Sequence, residues 1–131
     1  MMKDSDINQQ RKTIIEDYIH AYNSLDPERM LEHLHDEIVY TNSFLDSIDT
    51  HALGKAAFKS QAESIICDFV ARRMTIVAWT FSSSKVIVDI EYDVILNSVD
   101  TPALDEQFID MKGFIEFWFR GGKIAYINSF V

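Results

Sequence analysis

A chain of 131 residues has room for one domain with a genuine core, and a single domain over 1–131 is the expected organisation. Hydrophobic residues make up 47% of it, yet no apolar run reaches the ~20 residues of a membrane-spanning helix, so no membrane partner is expected. The 21 acidic residues against 12 basic ones, net −9, would repel a phosphate backbone, which removes nucleic acid from the expected partners.

The opening "MMKDSDINQQ" is polar and lacks the apolar stretch of a secretory signal, so a cytoplasmic location is expected. A first helix is predicted from about Asp6 to Ser24, because Ile14, Ile15, Tyr18, Ile19, Tyr22 and Leu25 recur at helical spacing. The segment "SLDPERMLEHLHD" restarts a helix, with Asp26 as N-cap, Pro27 at the first helical position and Met30, Leu31 and Leu34 as its buried face. A short strand, "EIVYTN", leads into a loop, "SFLDSIDTHAL", whose apolar residues include Phe44. A third helix is predicted from Gly54 to Val70, with Phe58, Ala62, Ile65, Ile66 and Phe69 along one stripe. The period then becomes alternating, which predicts strands at about Arg73–Ser82, Lys85–Asn97, Gln107–Arg120 and Lys123–Phe130.

Helices first and an antiparallel meander after them make an α+β plan. Long strands joined by tight turns twist strongly, and such a sheet curls around what packs on its concave face. The expected result is a cone-shaped curved antiparallel β-sheet on three helices of the N-terminal half, enclosing a mostly apolar pocket.

Several residues that could carry chemistry read as bland. Cys67, the single cysteine, excludes an intrachain disulfide and reads as a small core residue. Asp89, Glu91 and Asp93 share one face of a strand, the pattern of a half-exposed sheet. In "HLHDE", His33 and His35 stand two apart and do not converge, so no metal and no cofactor are expected. Lys55, Lys59, Arg72 and Arg73 are scattered cations of a solvated face. Gly121-Gly122 as a two-residue turn pairs Arg120 with Lys123. One face of that hairpin then holds Ile115, Phe117, Phe119, Ile124, Tyr126 and Asn128, the other Phe114, Glu116, Trp118, Ala125, Ile127 and Ser129.

The stretches "YIHAYNSLDPERMLEHLHDEIVY", "GKAAFKSQ" and "FWFRGGKIAYINSF", in this order, resemble the nuclear transport factor 2-like superfamily, specifically its SnoaL-like bacterial branch, from about Ile14 to Phe130. The resemblance implies a cone fold, homodimers formed through the sheet, and a pocket that serves ketosteroid isomerases, polyketide cyclases and non-catalytic transport factors alike. Tyr18 matches the isomerase tyrosine that donates to the substrate oxyanion. Asn42 falls, by gap-free counting, where the isomerase has its aspartate base, and an amide has no usable proton affinity. The resemblance turns the second hairpin face inward, so Phe114, Glu116, Trp118 and Ile127 join Tyr18, Tyr22, Tyr40, Asn42, Phe44, Phe58, Ile66 and Phe69 as the pocket lining. Glu116 is then a candidate acid. If the faces are exchanged it is simply solvated, just as Tyr18 can be a core tyrosine with a backbone partner and Asn42 a turn former.

The leading reading is a pocket protein that binds a small, largely apolar, cyclic molecule. An alternative is a cofactor-independent isomerase, cyclase or dehydratase using Tyr18 and Glu116; another is a non-catalytic interaction module using the outer sheet face. A homodimer through Phe117, Phe119, Ile124 and Tyr126 is expected. A dry cavity with one carboxylate favours the enzyme, an aromatic cavity without one favours binding, and a cone plugged by side chains favours the interaction module.

Overall fold

Helix α1, Asp4–Asn23, buries Ile15, Tyr18 and Ile19 on one stripe, the i, i+3, i+4 spacing of an amphipathic helix. A computed structural model of the chain describes residues 4–44, 47–66, 69–96 and 107–130. The end of α1 is closed by two backbone bonds, from Asp26 N–H to the Ala21 carbonyl at 3.1 Å and from Leu25 N–H to the Tyr22 carbonyl at 3.2 Å. That pairing needs a left-handed residue between, and Leu25 supplies it at φ 55 where glycine is usual. Asp26 then caps α2, Pro27–Leu31, accepting from the Arg29 N–H at 3.2 Å, as its place before a proline foretells.

Six strands follow around α3, Gly54–Ile66: β1 Leu34–Phe44, β2 Ser47–Leu53, β3 Phe69–Phe81, β4 Lys85–Leu96, β5 Gln107–Arg120 and β6 Lys123–Phe130. They form one curved, unclosed sheet in the order β2-β1-β6-β5-β4-β3, antiparallel throughout except where β1 runs parallel to β6. With the three helices in the N-terminal half, this is the expected α+β cone.

Two elements differ from expectation. The stretch read as a loop after "EIVYTN" is the end of β1 plus the strand β2, an edge strand whose Ser, Asp, Thr and His content mimics loop composition. The third helix stops at Ile66, and β3 begins at Phe69 rather than Arg73. At the opposite edge, β3 is held by a side chain: the Asn23 amide accepts from Met74 N–H at 2.7 Å and donates to the Met74 carbonyl at 3.0 Å. Asn23 thereby does for one residue what a further strand would do.

The concave face carries the core. Val86, Val88 and Ile90 of β4, Ile115 and Phe117 of β5, and Ile124 and Ile127 of β6 pack against Ile15, Tyr18, Leu34, Ile38 and Phe58. Asp89 and Glu91 are exposed on the convex side, as the alternation of β4 requires. Each large side chain fully buried here stabilises the fold by about 1.5–3 kcal/mol.

The Gly121-Gly122 turn pairs Arg120 with Lys123 as expected, both glycines having positive φ. Beyond Phe119 and Ile124 the ladder slips by one residue at Ala125, so Trp118 faces Tyr126 and Phe117 faces Ile127. This bulge corrects the face assignment of β5. Ile115 and Phe117 point into the core, while Phe114 and Trp118 stand on the convex face, 37% and 36% exposed. On β6 past the bulge, Ile127 and Ser129 are inward, as read.

Candidate functional site

Among the described residues, the hollow between sheet and helices shows two lobes that share Tyr18, Tyr22 and Tyr40 as walls. The first, about 30 Å³, is completed by Met30, Phe58, Gln61, Ala62 and Arg72. The second, about 60 Å³, is completed by Asn42, Met74, Tyr92, Ile115, Ile127 and Ser129. Helix α1 delivers Tyr18 and Tyr22 because the two lie four residues apart on its buried face. Strand β1 delivers Tyr40 and Asn42 because alternate residues share a sheet face.

The tyrosines are fixed by contacts with one another and with neighbouring rings. Tyr22 donates to the Tyr92 hydroxyl at 2.6 Å, Tyr40 meets Phe58 edge-on at 5.4 Å, and Tyr18 meets Phe117 edge-on at 5.7 Å. Burial pushes the Tyr40 hydroxyl up to about 12. Burial likewise raises Tyr18, Tyr22 and Tyr92, with the neighbouring phenols adding to the effect at Tyr18 and Tyr22. All four are neutral hydrogen-bond donors at physiological pH, not bases. Asn42 borders the second lobe with Tyr18, and its side-chain oxygen is buried without a hydrogen-bond partner. Such an acceptor calls for a donor from whatever occupies the space.

No carboxylate lines either lobe among the described residues. Glu116, a candidate cavity acid or, with the faces exchanged, a solvated one, lies on the convex face, where Lys85 Nζ is 2.6 Å away and the Asn128 amide donates to it at 3.3 Å. Phe114 and Trp118 share that face and do not reach the cavity; the bulge at Ala125 is the reason. Tyr18, Tyr22, Tyr40, Asn42, Phe58 and Ile127 do come together in the hollow. The side chains of Phe44, Ile66 and Phe69 lie outside what the structure describes.

Arg72 was missed as a cavity residue. Read as part of a solvated face, it is only 6% exposed and lines the first lobe. The signal is its phase: once β3 begins at Phe69, Arg72 falls on the same face as Met74 and Ile76. Away from the hollow, Asp17, Glu32 and His33 bring three possible metal-ligand atoms within 4.8 Å of one another. Asp17 is already engaged there, by His33 at 2.7 Å and by Arg29 at 3.0 Å, and the guanidinium opposes a cation. The His33 hydrogen bond is the leading cause that holds the Asp17 carboxyl below its ordinary range.

A cone of six strands over three helices places the chain among small α+β domains with one curved, unclosed sheet. The chain belongs to the SnoaL-like domain family, whose profile matches residues 15–127. Its fold is similar to that of a candidate polyketide cyclase of Xanthomonas campestris pv. campestris, with a TM-score of 0.79 at 17% identity, covering 95% of this chain and 92% of that one. A phenazine biosynthesis-related protein of Pseudomonas aeruginosa is similar with a TM-score of 0.78 at 13% identity, covering 99% and 80%. TerC, co-crystallised with polyporic acid, is similar with a TM-score of 0.74 at 14% identity, covering 92% and 89%. No curated protein is significantly similar in sequence. Among the described residues no helix is long and apolar enough to cross a membrane.

Proposed function

We propose that the protein binds a small, largely apolar molecule of no more than one ring in the hollow, without performing proton-transfer chemistry on it. The observation that carries this reading is an aromatic hollow with an orphaned acceptor, Asn42 Oδ1, and no carboxylate among its described walls. A general base or acid must lie within hydrogen-bond reach of the reacting atom, and neutral phenols and an amide do not supply a base. Size narrows the ligand. Each lobe is smaller than the roughly 150 Å³ cavity that admits benzene, so one ring enters by displacing the shared tyrosines and a four-ring skeleton does not fit. TerC, which is similar in fold, was co-crystallised with polyporic acid, and that pairing supports an organic ligand for this architecture.

The test is thermal stabilisation by a panel of monocyclic compounds, on the natural protein and on Ala62→Phe, which fills the first lobe. At least one compound should raise the melting temperature of the natural protein, and the substitution should abolish the rise. Protection by none of them, or protection indifferent to Ala62→Phe, would overturn the reading.

A homodimer is part of the same proposal, through the convex face, which keeps Tyr126 of the residues first expected but not Phe117 or Ile124. Phe117 and Ile124 are wholly buried in the chain's own core. The convex face instead offers Phe114 stacked on Phe130 at 4.6 Å, with Trp118 and Tyr126 around a shallow hollow of about 420 Å³.

A further inference from the structure

Asparagine is an uncommon choice for the middle of a sheet, where β-branched and aromatic side chains pack better. Asn42 stands there all the same, with Thr50 of β2 on one side and Ser129 of β6 on the other, and a bulge follows it in the β1–β2 ladder. Bulges re-aim side chains, and this one lies beside the second lobe. That lobe is ringed by hydroxyl-bearing residues, Tyr18, Tyr22, Tyr40, Tyr92 and Ser129, yet among the described residues none bonds to the buried Asn42 Oδ1. The lobe thus holds donors and an acceptor that do not meet. Tyr22 donates to Tyr92 at 2.6 Å, and the Tyr92 oxygen, having accepted, keeps its own proton to give.

From this arrangement we infer that the occupant is a hydroxyl compound, a single-ring alcohol or phenol whose O–H donates to Asn42 Oδ1 and whose oxygen accepts from a tyrosine of the second lobe. The inference rests on the binding role proposed for the hollow and adds the functional group by which the ligand is held. A hydroxyl both gives and takes a hydrogen bond, whereas a carbonyl only takes one. At about 60 Å³ the lobe has room for a water, which would make the same two bonds. A ligand hydroxyl replaces that water without loss, while a carbonyl leaves the amide oxygen unpaired. The hollow therefore selects against ketones, although its tyrosines are donors that a ketone could use.

The experiment is calorimetric titration of the intact natural protein at neutral pH with cyclohexanol and cyclohexanone, two probes that share a ring and differ at one oxygen. Cyclohexanol should bind roughly ten-fold more tightly, the fold-change that an unpaired buried acceptor costs. Asn42→Leu, similar in volume and without an acceptor, should bring the two affinities together, and Asn42→Asp, which only accepts, should keep cyclohexanol ahead. Equal affinity of the natural protein for both probes, or a preference for cyclohexanone, overturns the hydroxyl inference and leaves the binding role standing. A cyclohexanol preference that survives Asn42→Leu also overturns it, because the hydroxyl would then be recognised elsewhere. Binding of neither probe removes the binding role for a single ring, and the inference with it. Should Asn42→Leu fail to fold, the comparison on the natural protein decides alone.

Discussion

Asn42 marks the point at which this hollow parts from proton-transfer chemistry, since its amide can orient a hydroxyl but cannot take a proton. The natural protein should therefore show no isomerisation of a small activated enone. Asn42→Asp places a carboxylate in the same lobe as the Tyr18 phenol and should produce measurable turnover, a general base being worth on the order of 10²- to 10⁴-fold. Robust activity in the natural protein would mean that a carboxylate outside the described walls reaches the substrate. The tyrosines make a second prediction. An unfolded tyrosine ionises near pH 10, whereas the folded Tyr40 keeps its proton to about 12, and Tyr18, Tyr22 and Tyr92 are displaced in the same direction. Above pH ~10 the native state therefore holds protons that the unfolded chain has released, so stability is complete below that pH and falls as pH rises. Denaturant titrations from pH 8 to 12 should show the decline begin near 10, and Tyr40→Phe should make it shallower.

Leu25 carries the clearest prediction among the elements, because its left-handed backbone ends α1 and aims the chain at α2. Leu25→Ala keeps the strain and loses the side chain, whereas Leu25→Gly loses the side chain and the strain together. The glycine variant should be the more stable of the two by about 1 kcal/mol in chemical denaturation, the reverse of the usual ranking in helices. Equal stability would mean that the turn relaxes. Much at this scale is legible in the sequence: the Asp26-Pro27 start of α2, the glycine hairpin and the alternation of β4 each follow from a local rule satisfied by a few neighbouring residues. The illegible parts have equally specific causes. Strand β2 hides because edge strands are polar, and the inward face of β5 was inverted because one extra residue at Ala125 exchanges the faces without any signature in composition. Arg72 escaped because a strand start misplaced by four residues removed it from its alternating row.

For the molecule as a whole, the proposed dimer gives the most direct prediction: Trp118→Glu should leave a monomer in analytical ultracentrifugation at micromolar concentration, with an unchanged far-ultraviolet spectrum. A dimer that persists would place the interface away from the convex face; a natural protein that is monomeric would remove the dimer altogether. The position of β6 carries a last consequence. It is the strand furthest along the sequence, yet it sits inside the sheet, bonded to β1 on one side and to β5 on the other. As the polypeptide emerges from the ribosome, the β1–β2 ribbon and the β3–β4–β5 meander exist first as two unjoined half-sheets, each with an apolar face and an open edge. Only Lys123–Phe130 joins them, by contacts with β1 some 80–90 residues earlier, the kind of distant pairing that slows folding. Without β6 the two half-sheets keep open edges, and a chain ending at Gly122 should bind a hydrophobic dye and fail to unfold cooperatively.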